Sequence, residues 1–161
     1  LLRDIVENTS KFDLVFKQKV RIEKAEKIEI NDEELKRGIE YFVKQNNISK
    51  DNLRTLFDFQ QHGVRICNPL KENARKTLQI KTLMLLGILL KRVYDVSSFS
   101  GKDILKNSRI TYDRLDLLDK NKHYRNYFSL KPKSAMQLTY AGEKRALEML
   151  KEYIEKGECK L

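Results

Sequence analysis

His123-Tyr124-Arg125-Asn126-Tyr127-Phe128-Ser129-Leu130 is the stretch on which the reading of this chain turns. Tyr124, Asn126, Phe128 and Leu130 alternate with His123, Arg125, Tyr127 and Ser129. A period of two predicts a strand with one face turned inward. Pro132, in Lys131-Pro132-Lys133-Ser134, suits a hairpin loop and not a central strand. Met136 and Leu138 then share one face of a return strand. Thr139 follows as the predicted N-cap of a closing helix, whose buried stripe is Ala146, Leu147, Leu150, Tyr153 and Ile154. Upstream of the hairpin, Ser98 and Ser100 are candidate N-caps for a short helix holding Ile104 and Leu105. Asn107-Ser108 makes a turn, and a second helix is predicted from Arg109 to Asp119 with Leu115 and Leu118 inward. Asn121 tolerates the left-handed conformation that ends a helix.

Helix, helix, hairpin, helix is an ordered set, and Leu138-Thr139-Tyr140-Ala141-Gly142 closes the hairpin and opens the last helix. From about Gln79 to Glu155 this order resembles a winged helix-turn-helix domain of the MarR-like and PadR-like kind, where an L-T-x-x-G junction closes the wing. The resemblance implies that the second helix of the pair enters the major groove and that the wing touches the neighbouring backbone. Arg109, Thr111, Tyr112 and Arg114 would then sit on or near the reading helix. Lys122, Arg125, Lys131 and Lys133 would be wing contacts. His123, beside Lys122 and Arg125, reads as a phosphate contact or a solvated surface residue, and Lys102 begins the same basic window.

Charge points the same way. Residues 1–68 carry 13 Lys and Arg against 12 Asp and Glu, and residues 69–161 carry 20 against 11. Nearly all of the formal charge of +10 therefore lies in the C-terminal half. Concentrated positive charge is the electrostatic footprint of a polyanion binder. The window Lys102 to Lys133 alone holds nine bases and four acids. One feature opposes the groove assignment. With Leu115 and Leu118 inward, Asp113 and Asp116 fall with Arg109 on the opposite side of the predicted reading helix, where carboxylates repel phosphates.

The N-terminal half reads differently. Val20-Arg21-Ile22 and Ile28-Glu29-Ile30 alternate like strand pieces, but Glu, Lys and Ala around them also favour helix, and residues 12–30 stay open. Asn31 looks like an N-cap with Asp32, Glu33 and Glu34 in the first turn. Leu35, Ile39, Phe42 and Val43 recur at helical spacing, and Asn46-Asn47 ends that helix. Ser49 is predicted to cap another, with Leu53, Leu56, Phe57 and Phe59 inside and Gly63 as its stop. Asn68-Pro69 marks a seam. Lys71 to Val96 follows as the longest predicted helix, apolar nearly all round and therefore buried, with Gly87 allowing a close approach.

The expected fold class is mainly α with a small antiparallel β-wing (α+β): a winged helix-turn-helix domain over residues 69–161, preceded by a mostly helical packing segment over residues 1–68. The expected function is a non-enzymatic double-stranded DNA-binding module, in a transcription regulator or a larger DNA-processing protein. The alternative is a winged helix that assembles a protein complex. A homodimer or a partner protein is expected to use the N-terminal segment and the long central helix. His62 and His123 stand in no metal-ligand spacing, and phosphate-loop, nucleophile-elbow and zincin motifs are missing, so no catalytic residue, metal or cofactor is expected. Cys67 and Cys159 are far apart and read as free thiols in a reducing compartment, the cytoplasm or a nucleus. The longest apolar run, Leu83 to Leu90, is far short of the ~20 residues that a membrane-spanning helix needs.

Overall fold

The computed structural model describes residues 25–110, 121–129 and 135–161. Among them, helix α1 (Asp32–Asn46) starts where the sequence signals it. The Asn31 side chain accepts from the Glu34 amide at 2.8 Å and donates to the Glu34 carboxylate at 2.9 Å, a reciprocal cap. Leu35, Ile39 and Phe42 are buried, and Asn47 ends the helix in the left-handed conformation. Ser49 caps α2 (Lys50–Leu56). Ile28-Glu29-Ile30 is neither helix nor strand. The other residues of the open 12–30 stretch lie largely outside the described residues.

The predicted helix through Phe59 ends early. Strand β1 (Phe57–Gln60) pairs antiparallel with β2 (Gly63–Ile66), in the register Phe57 with Ile66 and Gln60 with Gly63. Phe57 and Phe59 alternate with Asp58 and Gln60, so the segment fits a strand as well as a helix. Two long-range facts decide for the strand. Gly63 takes φ 145°, a conformation that side chains disfavour, and so closes a two-residue turn. The Tyr94 hydroxyl reaches the carbonyls of Gln60 (2.6 Å) and Gly63 (2.9 Å) and clasps the turn from below. Burial pushes the Tyr94 phenol well above its ordinary range.

Helix α3 (Arg75–Val93) is the axis of the molecule. Every residue from Gln79 to Leu90 is buried. It packs against α1 and β2 from the N-terminal half of the chain, and against the helices and the last strand of the C-terminal half. Its apolar circumference is covered by this chain itself, so a second copy or a partner has to use other surfaces. One buried cluster runs from Leu35 to Cys159 and crosses residues 68–69 without a break. The two polar groups that the helix buries deepest among its ionic and hydroxyl side chains are satisfied. Lys81 pairs with Glu72 at 2.8 Å, and the Thr82 hydroxyl donates to the Leu78 carbonyl at 2.8 Å.

After α3, Phe99 and Met136 exchange both backbone hydrogen bonds, at 2.9 and 2.8 Å. A Cβ at Gly87 would lie 3.0 Å from the Phe99 ring, so the glycine admits that ring onto α3 rather than a second helix. Ser100 caps α4 (Gly101–Asn107), as its sequence indicates. Next among the described elements is α5 (Lys122–Tyr127), which runs directly into β3 (Phe128–Ser129). Strand β3 pairs with β4 (Gln137–Leu138), Phe128 opposite Leu138. Thr139 caps the last helix, α6 (Tyr140–Lys156), whose buried residues include Ala146, Met149, Leu150 and Tyr153.

Two corrections fall here. The strand expected from His123 is helix as far as Tyr127. The alternating residues also satisfy a four-residue spacing, and it is this one that packs: Tyr124 stacks on Phe128 at 5.0 Å and His123 on Tyr127 at 6.1 Å. Asn121, expected to end a helix, starts one instead. Its side chain accepts from the amides of His123 (2.9 Å) and Tyr124 (3.4 Å). The helix expected from Arg109 to Asp119 lies outside the described residues beyond Ile110, and the hairpin tip, residues 130–134, does too.

Candidate nucleic-acid interface

Helix α5 presents Lys122, Arg125 and Asn126 as exposed residues, three and four positions apart and therefore on one side. Tyr124 is buried on the opposite side, and His123 is half-buried against Tyr127. The Asn121 cap sets where α5 begins. A junction at its other end holds it in place: the Thr139 amide donates to the Tyr127 carbonyl at 2.9 Å, and the Thr139 hydroxyl donates to the Asn126 carbonyl at 2.8 Å. That same hydroxyl accepts from the Gly142 amide at 3.0 Å. A Cβ at Gly142 would collide with the Tyr127 carbonyl, so only glycine lets α6 approach the end of α5 this closely. The Leu-Thr-x-x-Gly pattern thus has a local cause. Farther along α6, Glu143 pairs with Lys91 and ties the helix to α3.

Of the residues singled out in the sequence, Lys102 is exposed on the outer side of α4, with Lys106 one turn on. Lys122 and Arg125 are brought together, though on a helix and not a wing strand. Thr111, Tyr112, Arg114, Lys131 and Lys133 lie outside the described residues, and so do Asp113 and Asp116.

Arg109 is elsewhere than expected. It follows α4 at φ 60°, with its amide donating to the Lys106 carbonyl (3.1 Å) and the Ile110 amide to the Leu105 carbonyl (2.9 Å). This is a helix-ending motif whose left-handed position is usually glycine, and a side chain there costs roughly 1 kcal/mol. Arg109 lines a cleft of about 390 Å³ together with Arg54 and Arg65 from the N-terminal half. Those two arginines were missed in the sequence. Arg65 alternates outward between Val64 and Ile66, but only the strand, once recognised, makes that visible.

No protein-family model, curated protein or solved structure matches this chain.

Its chemistry is therefore read from its own residues. Among the described residues no group of three or more His, Cys, Asp or Glu is placed to hold a metal ion. No helix among them is long and apolar enough to cross a membrane. Cys67 is exposed and Cys159 is buried, both as free thiols. Burial pushes the Cys159 thiol up to about 11, which makes it a poor nucleophile at neutral pH.

Proposed function

We propose that residues 69–161 form a winged helix-turn-helix that binds double-stranded DNA without catalysis, as part of a regulator or a larger DNA-processing protein. The observation that carries this reading is the outward pair Lys122 and Arg125 on α5, a helix fixed at both ends and continuous with a hairpin. Further support comes from the order of elements: α3, a Phe99–Met136 bridge, α4, α5, the β3–β4 hairpin and α6. In this proposal α5 takes the groove-facing role that the sequence suggested for residues 109–119. A helix of that kind fits the ~12 Å major groove, where lysine and arginine meet phosphates or guanine edges. The basic excess of the C-terminal half supplies sequence-independent affinity.

The test is a duplex titration at two salt concentrations with wild type and with a Lys122→Glu/Arg125→Glu double variant. Wild-type affinity should fall steeply with salt, because each phosphate contact releases counterion. The double variant should bind at least about tenfold more weakly and lower the log–log salt slope by about 1.8, ~0.9 for each phosphate no longer neutralised. Both residues are exposed, so the fold should survive the change. Unchanged affinity in a folded variant would reject the DNA reading and favour a winged helix that docks on protein.

A further inference from the structure

We infer that the cleft between the outward face of the β1–β2 hairpin and the turn after α4 is a site for a phosphate monoester, held as its dianion by Arg54, Arg65 and Arg109. The register of the hairpin sets the chemistry. Phe57, Phe59, Val64 and Ile66 share the face packed on the core, so the cross-strand pair Asp58 and Arg65 stands on the other. Arg54, from the last turn of α2, and Arg109, just past α4, line the same cleft. Neither of these two has an acidic partner among the described residues. Three guanidiniums against one carboxylate leave two positive charges over. That count selects the ligand. A phosphate monoester carries about −1.5 to −2 at neutral pH and presents three acceptor oxygens. A carboxylate or a phosphodiester carries a single negative charge and leaves one of the two positive charges unmatched.

Arg65 is positioned for such a ligand. Its Nε donates to Asp58 at 2.8 Å, and Asp58 also accepts from the Gln60 amide at 3.0 Å. The terminal nitrogens of Arg65 make no hydrogen bond among the described residues, so an oriented fork is left to meet two phosphate oxygens. Ser108 is the second, independent observation. It lines the cleft, it is only 3 % exposed, and its hydroxyl has no partner among the described residues. Buried hydroxyls are normally paired, because leaving one unmet is costly. A phosphate oxygen seated among the arginines is the acceptor that this donor lacks. At about 390 Å³ the cleft lies at the low end of the ~300–1,000 Å³ range of small-molecule sites, which suits a phosphate on a small alcohol. The monoester can belong to a small phosphorylated molecule or to the 5′ end of a nucleic-acid strand. No residue of α5 lines the cleft, so this inference does not depend on the duplex reading.

Calorimetric and thermal-shift titrations of the full chain test it, with inorganic phosphate, ribose 5-phosphate, dimethyl phosphate and acetate. Inorganic phosphate or ribose 5-phosphate should bind saturably at one per chain, at least about tenfold more tightly than dimethyl phosphate or acetate. Arg54→Ala and Arg109→Gly should each weaken that binding about tenfold, the size of one charge-assisted hydrogen bond. Arg109→Gly should meanwhile hold or raise the Tm of the unliganded protein, because glycine suits the left-handed backbone there. Ser108→Ala should also weaken binding and hold or raise Tm, since it removes an unpaired hydroxyl. Weaker binding in a fold no less stable separates a ligand contact from damage. A short single strand with and without a 5′-phosphate distinguishes the sources. Binding about tenfold tighter with the phosphate, and lost in Arg54→Ala, assigns a strand end; equal binding of the two strands beside saturable ribose 5-phosphate assigns a small molecule. The Lys122→Glu/Arg125→Glu variant should leave phosphate affinity within about twofold. The site is rejected if no monoester, free or on a strand end, binds saturably up to about 10 mM. It is rejected as well if dimethyl phosphate or acetate binds equally well, or if Arg54→Ala and Arg109→Gly bind like wild type.

Discussion

The two hairpins both pack against α3 and are held in different ways. The first, β1–β2, has four paired positions and a two-residue turn, and its support comes from a distant residue, Tyr94 at the end of α3. The second, β3–β4, pairs only two positions and is fixed mainly by its neighbours in sequence, through the Thr139 cap and the close approach at Gly142, with the Phe99–Met136 bridge beside it as a remote tie. A long ladder with one remote clasp can open at its turn while its strands stay paired. A short ladder locked between two helices and bridged at its edge to Phe99 moves only with those neighbours. A rigid mount of this kind suits the proposed DNA-facing role of α5.

The largest expected effect removes what the two hairpins share. Leu86 is fully buried in α3 beneath both halves, and Leu86→Ala should cost ~2–5 kcal/mol, the range for cavities in packed interiors. Denaturant melts followed by probes in each half should shift together. Separate transitions would show that the cluster crossing residue 68 does not couple the two hairpins.

A smaller effect sharpens the contrast. Tyr94→Phe removes the clasp and should cost about 1–2 kcal/mol, with faster amide exchange in β1 and β2 and none of that change at β3. The phenol also sets a pH dependence. Its pKa is raised in the folded state, so its contribution is complete below the unfolded value near 10 and is lost as pH rises beyond it. Alkaline titration of stability should therefore be shallower in Tyr94→Phe than in wild type. Identical profiles would mean that the hydroxyl is not buried against the turn.

The smallest effect tests the start of α5. Asn121→Ala should cost about 1 kcal/mol if Asn121 is an N-cap, and Asn121→Gly only a few tenths. If Asn121 instead ended a preceding helix in a left-handed conformation, Asn121→Gly would stabilise the protein. Chemical denaturation of the two variants distinguishes the cases by sign.

Local signals were legible and remote ones were not. Asn31, Ser49, Ser100 and Thr139 each cap the helix that their sequence context announces, because a cap acts within three residues. The buried central helix was legible from apolar content alone. Phe57–Gln60 and His123–Tyr127 were misread for one reason: each carries apolar residues that fit a period of two and a helical spacing. In the first the deciding partners are Gly63 and Tyr94; in the second they are Asn121 below and Thr139 with Gly142 above. Within the candidate interface, Lys122 and Arg125 were singled out as wing contacts from charge and the resemblance, and their helical setting was not foreseen. Arg54 escaped notice because its half of the chain is nearly neutral, although its side chain shares a cleft with Arg109, fifty-five positions away.

The position of α3 in the chain carries a consequence for synthesis. Residues 32–66 emerge from the ribosome before the helix on which Leu35, Ile39, Phe42 and Val64 bury themselves. At ~5–20 residues per second, the stretch from Leu70 to Val93 adds roughly one to five seconds before that surface exists. During this interval the nascent hairpin displays Phe57 and Ile66 with nothing to cover them, and a chaperone that recognises short apolar segments has its opportunity there. The arrival of α3 begins to close that window, and Tyr153 of α6, edge-on to Phe57 at 5.9 Å, completes it.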